Sequence, residues 1–170
     1  MQNRTDQEQQ TQIFDSWLAE HKGLLFKVIR AYGQNPEDRD DLFQEISIQL
    51  WNSIPNYKGD SAVGTWIYKV ALYTAMAWSR KQNKHATDKL TFNETEHTLT
   101  EKSKFEDARL EWLYQQISLL NEIDRSLTLL MLDGYSYKEM SSMLGISESN
   151  VGVRISRIKK QFTQIYQENV

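Results

Sequence analysis

Turn residues are scarce in this chain, with only 7 Gly and 2 Pro among 170 residues. A many-stranded sheet needs such residues at every reversal, and this sequence does not supply them. Apolar side chains recur instead at three- and four-residue spacing, so the expected fold class is all-α. A hydrophobic content of 39% suffices for one or two small cores and argues against disorder throughout.

Residues 1 to about 11 read as a frayed polar tail. The first periodic segment carries Ile13, Phe14, Trp17, Leu18, Leu24, Leu25, Val28, Ile29 and Tyr32, and Gly33, Asn35 and Pro36 stop it. A second helix opens near Pro36, which suits a first helical turn, and places Leu42, Phe43, Ile46, Leu50 and Trp51 on one face. The third, capped by Asp60 or Ser61, runs through Val63, Trp66, Ile67, Val70, Ala71 and Ala75 to Trp78. Residues 83–104 are polar, mixed in charge and aperiodic, as expected of a flexible linker. Two small helical domains are therefore expected, over 12–82 and 105–170. The second has one segment through Phe105, Ala108, Leu110, Trp112, Leu113, Ile117 and Leu120, and another through Ile123, Leu127, Leu130 and Met131 behind an Asn121 cap.

No Cys is present, which removes disulfides, thiolate zinc sites and thiol nucleophiles. His21, His85 and His97 are widely separated, and no Gly-rich phosphate loop occurs. Asp41 and Glu45 could share a helical face as metal ligands, but no Glu-x-x-His accompanies them. No catalytic residue, metal or cofactor is expected. The apolar runs fall short of the 18 or more residues of a membrane span, and the polar N-terminus carries no signal segment, so a cytoplasmic chain without membrane insertion is expected.

The net charge of -3, from 20 Lys+Arg against 23 Asp+Glu, provides no long-range attraction to a polyanion. Any nucleic-acid binding must be local. Arg154, Arg157, Lys159 and Lys160 cluster without an acid, whereas Glu37, Asp38, Asp40 and Asp41 are relieved only by Arg39. The acids have a simple explanation in the helix macrodipole, worth about 0.3–1 kcal/mol each near an N-terminus.

Residues 136–160 combine several signals of a helix-turn-helix. Ser136 and Glu139 have capping-box spacing, Met140 and Leu144 pack a short helix, Gly145 permits the turn, Ile146 plugs the joint and Ser147 caps a second helix. Small Ser141 allows close approach of the two helices. At about 100° per residue, Val151, Ile155, Ile158 and Phe162 form one core-facing stripe. Ser149, Val153, Ser156 and Lys160 lie opposite, with Asn150 and Arg157 on one shoulder, Gly152 on the other and Arg154 nearer the core boundary. Such a small, polar, basic face suits the major groove, where Arg and Asn read base edges or hold phosphates.

Leu120 to Phe162 resembles region 4 of bacterial sigma factors. Asp41-Leu-Phe-Gln-Glu45 through Trp51, Tyr57-Lys-Gly-Asp-Ser61 and Thr65-Trp-Ile-Tyr-Lys-Val-Ala71 resemble region 2. Together the blocks resemble the extracytoplasmic-function group of the sigma-70 family, over about residues 12–165. The resemblance implies an alternative sigma factor without covalent chemistry of its own, which binds core RNA polymerase, recognises two promoter elements and promotes melting. It implies docking of Asp41, Leu42, Gln44 and Glu45 on the clamp coiled coil of the largest polymerase subunit, and of region 4 on the flap of the second-largest. It implies minus-10 contacts from Tyr57, Lys58, Gly59, Asp60 and Ser61, with Tyr68, Lys69, Tyr73, Trp78, Arg80 and Lys81 supplying aromatics and cations nearby. Trp66, spaced with Val63 and Val70, reads as core instead.

Tyr73 stands where many family members have Asn, and a phenol cannot reproduce the amide's paired donor and acceptor. For the minus-35 element the matching residues are Ser149, Asn150, Gly152, Val153, Arg154, Ser156, Arg157 and Lys160, with Arg157 foremost. An anti-sigma partner is also implied. The competing expectation is a dimeric helix-turn-helix regulator acting without sigma activity, which accounts for residues 136–162 only.

Overall fold

The computed structural model describes residues 2–88 and 108–168, and those residues are helical apart from short connections. The first half contains α1 (Gln2–Glu20), α2 (Lys22–Tyr32), α3 (Pro36–Ser53), a 3-10 turn (Ile54–Asn56) and α4 (Val63–Asp88). The second contains α5 (Ala108–Ser118), α6 (Glu122–Leu132), α7 (Tyr137–Leu144) and α8 (Glu148–Glu168).

Local chemistry explains the boundaries. The Asn35 side chain accepts the Asp38 backbone N–H at 2.8 Å, and Pro36 fills the first turn of α3. Asn121 caps α6 in the same way, accepting from the Asp124 N–H at 3.0 Å. The single long segment expected over residues 13–32 is broken at His21, whose backbone leaves helical geometry just before the weak helix former Gly23. The expected frayed tail is helical from Gln2, and the Gln10 side-chain amide ties α1 to the Trp51 carbonyl at 2.9 Å. Residues 83–88, expected in the linker, continue α4; residues 89–104 and Phe105 lie outside the described residues.

Val28, Leu42, Ile46, Leu50, Ile67, Ala71 and Leu72 form the fully buried centre of the first half, where α4 lies along α2 and α3. Phe43, expected on the core face of α3, is exposed because that stripe runs through Leu42, Ile46 and Leu50 at four-residue spacing. Ile117, Leu127, Leu130, Met140, Val151, Ile155 and Ile158 form the second centre.

The two centres meet in one continuous apolar cluster. Tyr32 of α2 enters the contact with α6: its hydroxyl donates to the Glu122 carbonyl and exchanges a hydrogen bond with the Ser126 hydroxyl at 2.7 Å. The Arg125 guanidinium covers the same ring at 5.3 Å. Asp133, at the end of α6, accepts from Lys27 on one oxygen and from the Tyr68 hydroxyl at 2.7 Å on the other. Arg30 pairs with Glu111 at 2.6 Å and lies over the Tyr114 ring at 4.5 Å.

Burial raises the Tyr32 hydroxyl pKa well above its ordinary 10.0, outweighing the Ser126 hydrogen bond and Arg125, which act in the opposite direction. Burial raises Tyr68 as well, and its bond to the Asp133 carboxylate adds to the shift. Both phenols hold their protons more tightly folded than unfolded, so full stability is kept below about pH 10 and lost as pH rises above it. A tyrosinate absorbance titration should show these two among 8 tyrosines ionising late, together with loss of helical circular dichroism. All tyrosines ionising together near pH 10, with the fold intact, would contradict this.

Candidate nucleic-acid interface

The sequence of the α7–α8 unit specifies its turn closely. The Ser136 hydroxyl accepts the Glu139 N–H at 3.2 Å, while the Glu139 carboxylate accepts the Ser136 N–H at 2.7 Å. These bonds hold the Glu139 carboxyl below its usual range. Gly145 takes the left-handed conformation at φ 67°, where a Cβ is disfavoured. The Ser141 hydroxyl spans the turn to the Ile146 carbonyl at 2.6 Å, and the Ser147 hydroxyl accepts the Asn150 N–H at 3.1 Å.

Val151, Ile155 and Ile158 anchor α8 in the core, with Phe162 half-buried beyond them. Ser149, Asn150, Val153, Ser156, Arg157 and Lys160 are exposed on the outer side, as their spacing predicts. Gly152 is half-buried, and a Cβ there would stand 3.5 Å from the Tyr137 ring. Arg154 is also half-buried, donating through Nε to Asn150 Oδ1 at 3.0 Å and through a terminal nitrogen to Asp124 at 2.8 Å. Arg157 bonds the other Asp124 oxygen at 2.9 Å, yet its side chain remains 60% exposed. Asp124 is 5% exposed, and sequence reasoning missed it. Its only signal is its place three residues after the Asn121 cap.

The residues implied for minus-10 contact differ widely in exposure. Lys58, Gly59 and Asp60 are exposed in the loop before α4, and Ser61 is half-buried. The Tyr57 hydroxyl donates to the Ser61 carbonyl at 2.6 Å, and its ring is held 5.6 Å from both Trp17 and Trp66. Trp66 donates to Ser53 Oγ at 3.2 Å, in keeping with a core-side role. Lys69, Tyr73 and Arg80 are exposed along one stripe of α4; Lys81 is exposed to one side and Trp78 is half-buried. Tyr68 corrects the expectation: it is 1% exposed, on the buried stripe with Ala71 and Leu72 and bonded to Asp133, so it cannot face DNA in this arrangement.

On α3, Asp41 and Gln44 are exposed and Glu45 is half-buried. Leu42 is fully buried and corrects the expectation that it touches polymerase, since helical periodicity turns it inward beside Ile46. Next to this acidic strip, Leu18, Leu25, Phe26, Ile29 and Phe43 line a groove of about 730 Å³ rimmed by Asp15, Arg30, Arg39 and Asp40. Phe26 is 64% exposed there, a feature helical periodicity alone did not single out. Among the described residues, no three His, Asp or Glu side chains gather as a metal site, and no helix is long and apolar enough to cross a membrane.

Family profiles for Sigma-70 region 2 and Sigma-70, region 4 match residues 17–85 and 110–162. RNA polymerase sigma factor YlaC of Bacillus subtilis is 27% identical over 141 residues, covering 78% of this chain and 82% of the relative. The ECF RNA polymerase sigma-E factor of Escherichia coli is 30% identical over 135 residues, covering 72% of this chain and 71% of the relative. A solved structure of sigma factor RpoE in complex with the anti-sigma factor NepR, from Bartonella quintana, shares the fold with a TM-score of 0.71. It is 16% identical, covering 90% of this chain and 95% of that one.

Proposed function

The chain belongs to the extracytoplasmic-function group of the sigma-70 family of RNA polymerase sigma factors, and on that premise we propose which of its surfaces carry each step of initiation. As an alternative sigma factor it binds core RNA polymerase, recognises the promoter and promotes melting. It contributes binding energy and geometry rather than covalent chemistry.

Region 4 reads the minus-35 element with the outer face of α8. Arg157, Asn150 and Lys160 supply donors, while Ser149, Val153 and Ser156 keep the approach close. The observation that carries this reading is a capped helix whose buried stripe leaves a small, basic face exposed. Region 2 meets the minus-10 element with the Lys58–Asp60 loop and with Lys69, Tyr73 and Arg80 on α4, where an exposed ring and cations suit an unstacked base and its phosphates. Asp41, Gln44 and Glu45 dock on the clamp coiled coil of polymerase, and region 4 docks on the flap. An anti-sigma factor is a further partner, as in the related RpoE complex.

In-vitro transcription with core polymerase tests the whole reading: a specific start should appear only when the chain is added. In the same assay Arg157→Ala should lower transcription from minus-35-dependent promoters by about 5- to 150-fold, the value of one lost bidentate base contact of about 1–3 kcal/mol. Undiminished transcription by a well-folded Arg157→Ala protein would remove Arg157 from the interface. The dimeric regulator leaves the region 2 match without a role; it would bind a palindromic site without polymerase and produce no start.

A further inference from the structure

The arginines of α8 share one anchor. Asp124, on the neighbouring helix α6, gives one carboxylate oxygen to Arg154 at 2.8 Å and the other to Arg157 at 2.9 Å. The Asn121 amide donates to that second oxygen at 2.8 Å. Its side chain is only 5% exposed, so its charge depends on these three partners in place of water. The two arginines are held in unequal settings. Arg154 is 24% exposed, and the Asn150 side chain fixes its Nε as well. Arg157 is 60% exposed, and Asp124 is its side-chain partner among the described residues.

We infer that Asp124 is a positioning residue for promoter discrimination: it fixes Arg154 as an internal strut of α8 and orients the guanidinium of Arg157 toward the minus-35 base edges. Bidentate recognition of a base requires the guanidinium plane to be set before contact, because an arginine free to rotate must lose that freedom on binding. A carboxylate oxygen bonded to one terminal nitrogen restricts that rotation and leaves the other donors for DNA. Arg154 then contributes through geometry, with little direct reading. The Asn150 carbonyl is committed to Arg154, which leaves its amide NH2 as the group that can meet DNA.

This inference rests on the assignment of α8 as the minus-35 reader, and the two can fail separately. A promoter library randomised across the minus-35 region is transcribed by core polymerase with the full-length chain, using the native sequence, Arg157→Ala, Asp124→Asn and the double variant. Arg157→Ala should erase preference at one base-pair position. Asp124→Asn should weaken preference at that same position by about tenfold and add nothing in the Arg157→Ala background. Asn35→Ala, which removes the cap of α3 and touches neither Asp124 nor its partners, should lower the thermal midpoint without altering preference. If Asp124→Asn does not fold, Asp124→Glu keeps the charge, displaces the anchor and should disturb the same position. An Asp124 variant that lowers all promoters equally, in step with its thermal midpoint, would reduce Asp124 to a fastener and overturn the inference. Preferences unchanged by Arg157→Ala would overturn the assignment of the reader itself.

Discussion

Replacing Leu42 with alanine is expected to lower the unfolding free energy by about 2–5 kcal/mol, the usual cost of emptying a fully buried leucine site. The side chain is 0% exposed among Val28, Ile46, Leu50 and Ile67, so its loss leaves a cavity where α3 packs on its neighbours. Its neighbour Asp41 is exposed, and Asp41→Ala should change stability by no more than about 0.5 kcal/mol while weakening binding to core polymerase. Chemical denaturation and a polymerase-binding titration on both variants separate the roles. A Leu42→Ala protein with native stability and lost polymerase affinity would restore Leu42 to the docking surface.

Asp133→Ala should loosen the contact between the two regions, with a loss of about 2–4 kcal/mol, because two region 2 donors lose their shared acceptor. The larger part comes from Tyr68, whose hydroxyl is buried and would be left without a partner. Lys27 contributes less, since its side chain is 41% exposed and water replaces the carboxylate. Combining Asp133→Ala with Tyr68→Phe removes donor and acceptor together and should recover part of the loss. The chain has no Cys, so Gln82→Cys and Gln161→Cys allow a fluorescent pair to be placed on exposed positions of α4 and α8 without background labelling. Energy transfer should fall in Asp133→Ala. An unchanged transfer efficiency and melting midpoint would show that Asp133 does not hold the regions together.

Features set by neighbours in the chain were legible in the sequence. Ser136 with Glu139, the Gly145 turn, the Ser147 and Asn121 caps and the Val151, Ile155, Ile158 stripe all involve groups within a few residues of one another. Their geometry follows from helix periodicity and capping chemistry. Tyr68 and Leu42 were misjudged because a motif match assigns a role to a stretch of residues, whereas exposure alternates within that stretch with each turn of helix. Asp124 was illegible for another reason: its partners are Arg154 and Arg157 on a different helix, and no local spacing announces a contact made through tertiary packing. Tyr32 is the same case, since its helical register predicted a buried ring but not that its hydroxyl would reach Ser126.

Tyr73 on α4 stands beside the turn that introduces α8; a Cβ on Gly145 would lie 3.6 Å from its hydroxyl. Tyr73, proposed to meet the minus-10 element, therefore lies against the turn that leads into the helix proposed to read the minus-35 element. Elements named for positions 10 and 35 are separated by about 25 base pairs, or about 85 Å of duplex at the usual rise per step. On the proposed assignment of the two readers, the packed form reaches one element at a time, and only the population with separated regions spans both. The apparent promoter affinity is the intrinsic affinity multiplied by that population, so each ~1.4 kcal/mol favouring the packed form weakens simultaneous binding tenfold. A polymerase surface that holds the regions apart raises the population before DNA arrives, and linkage then requires promoter DNA to tighten polymerase binding by the same factor.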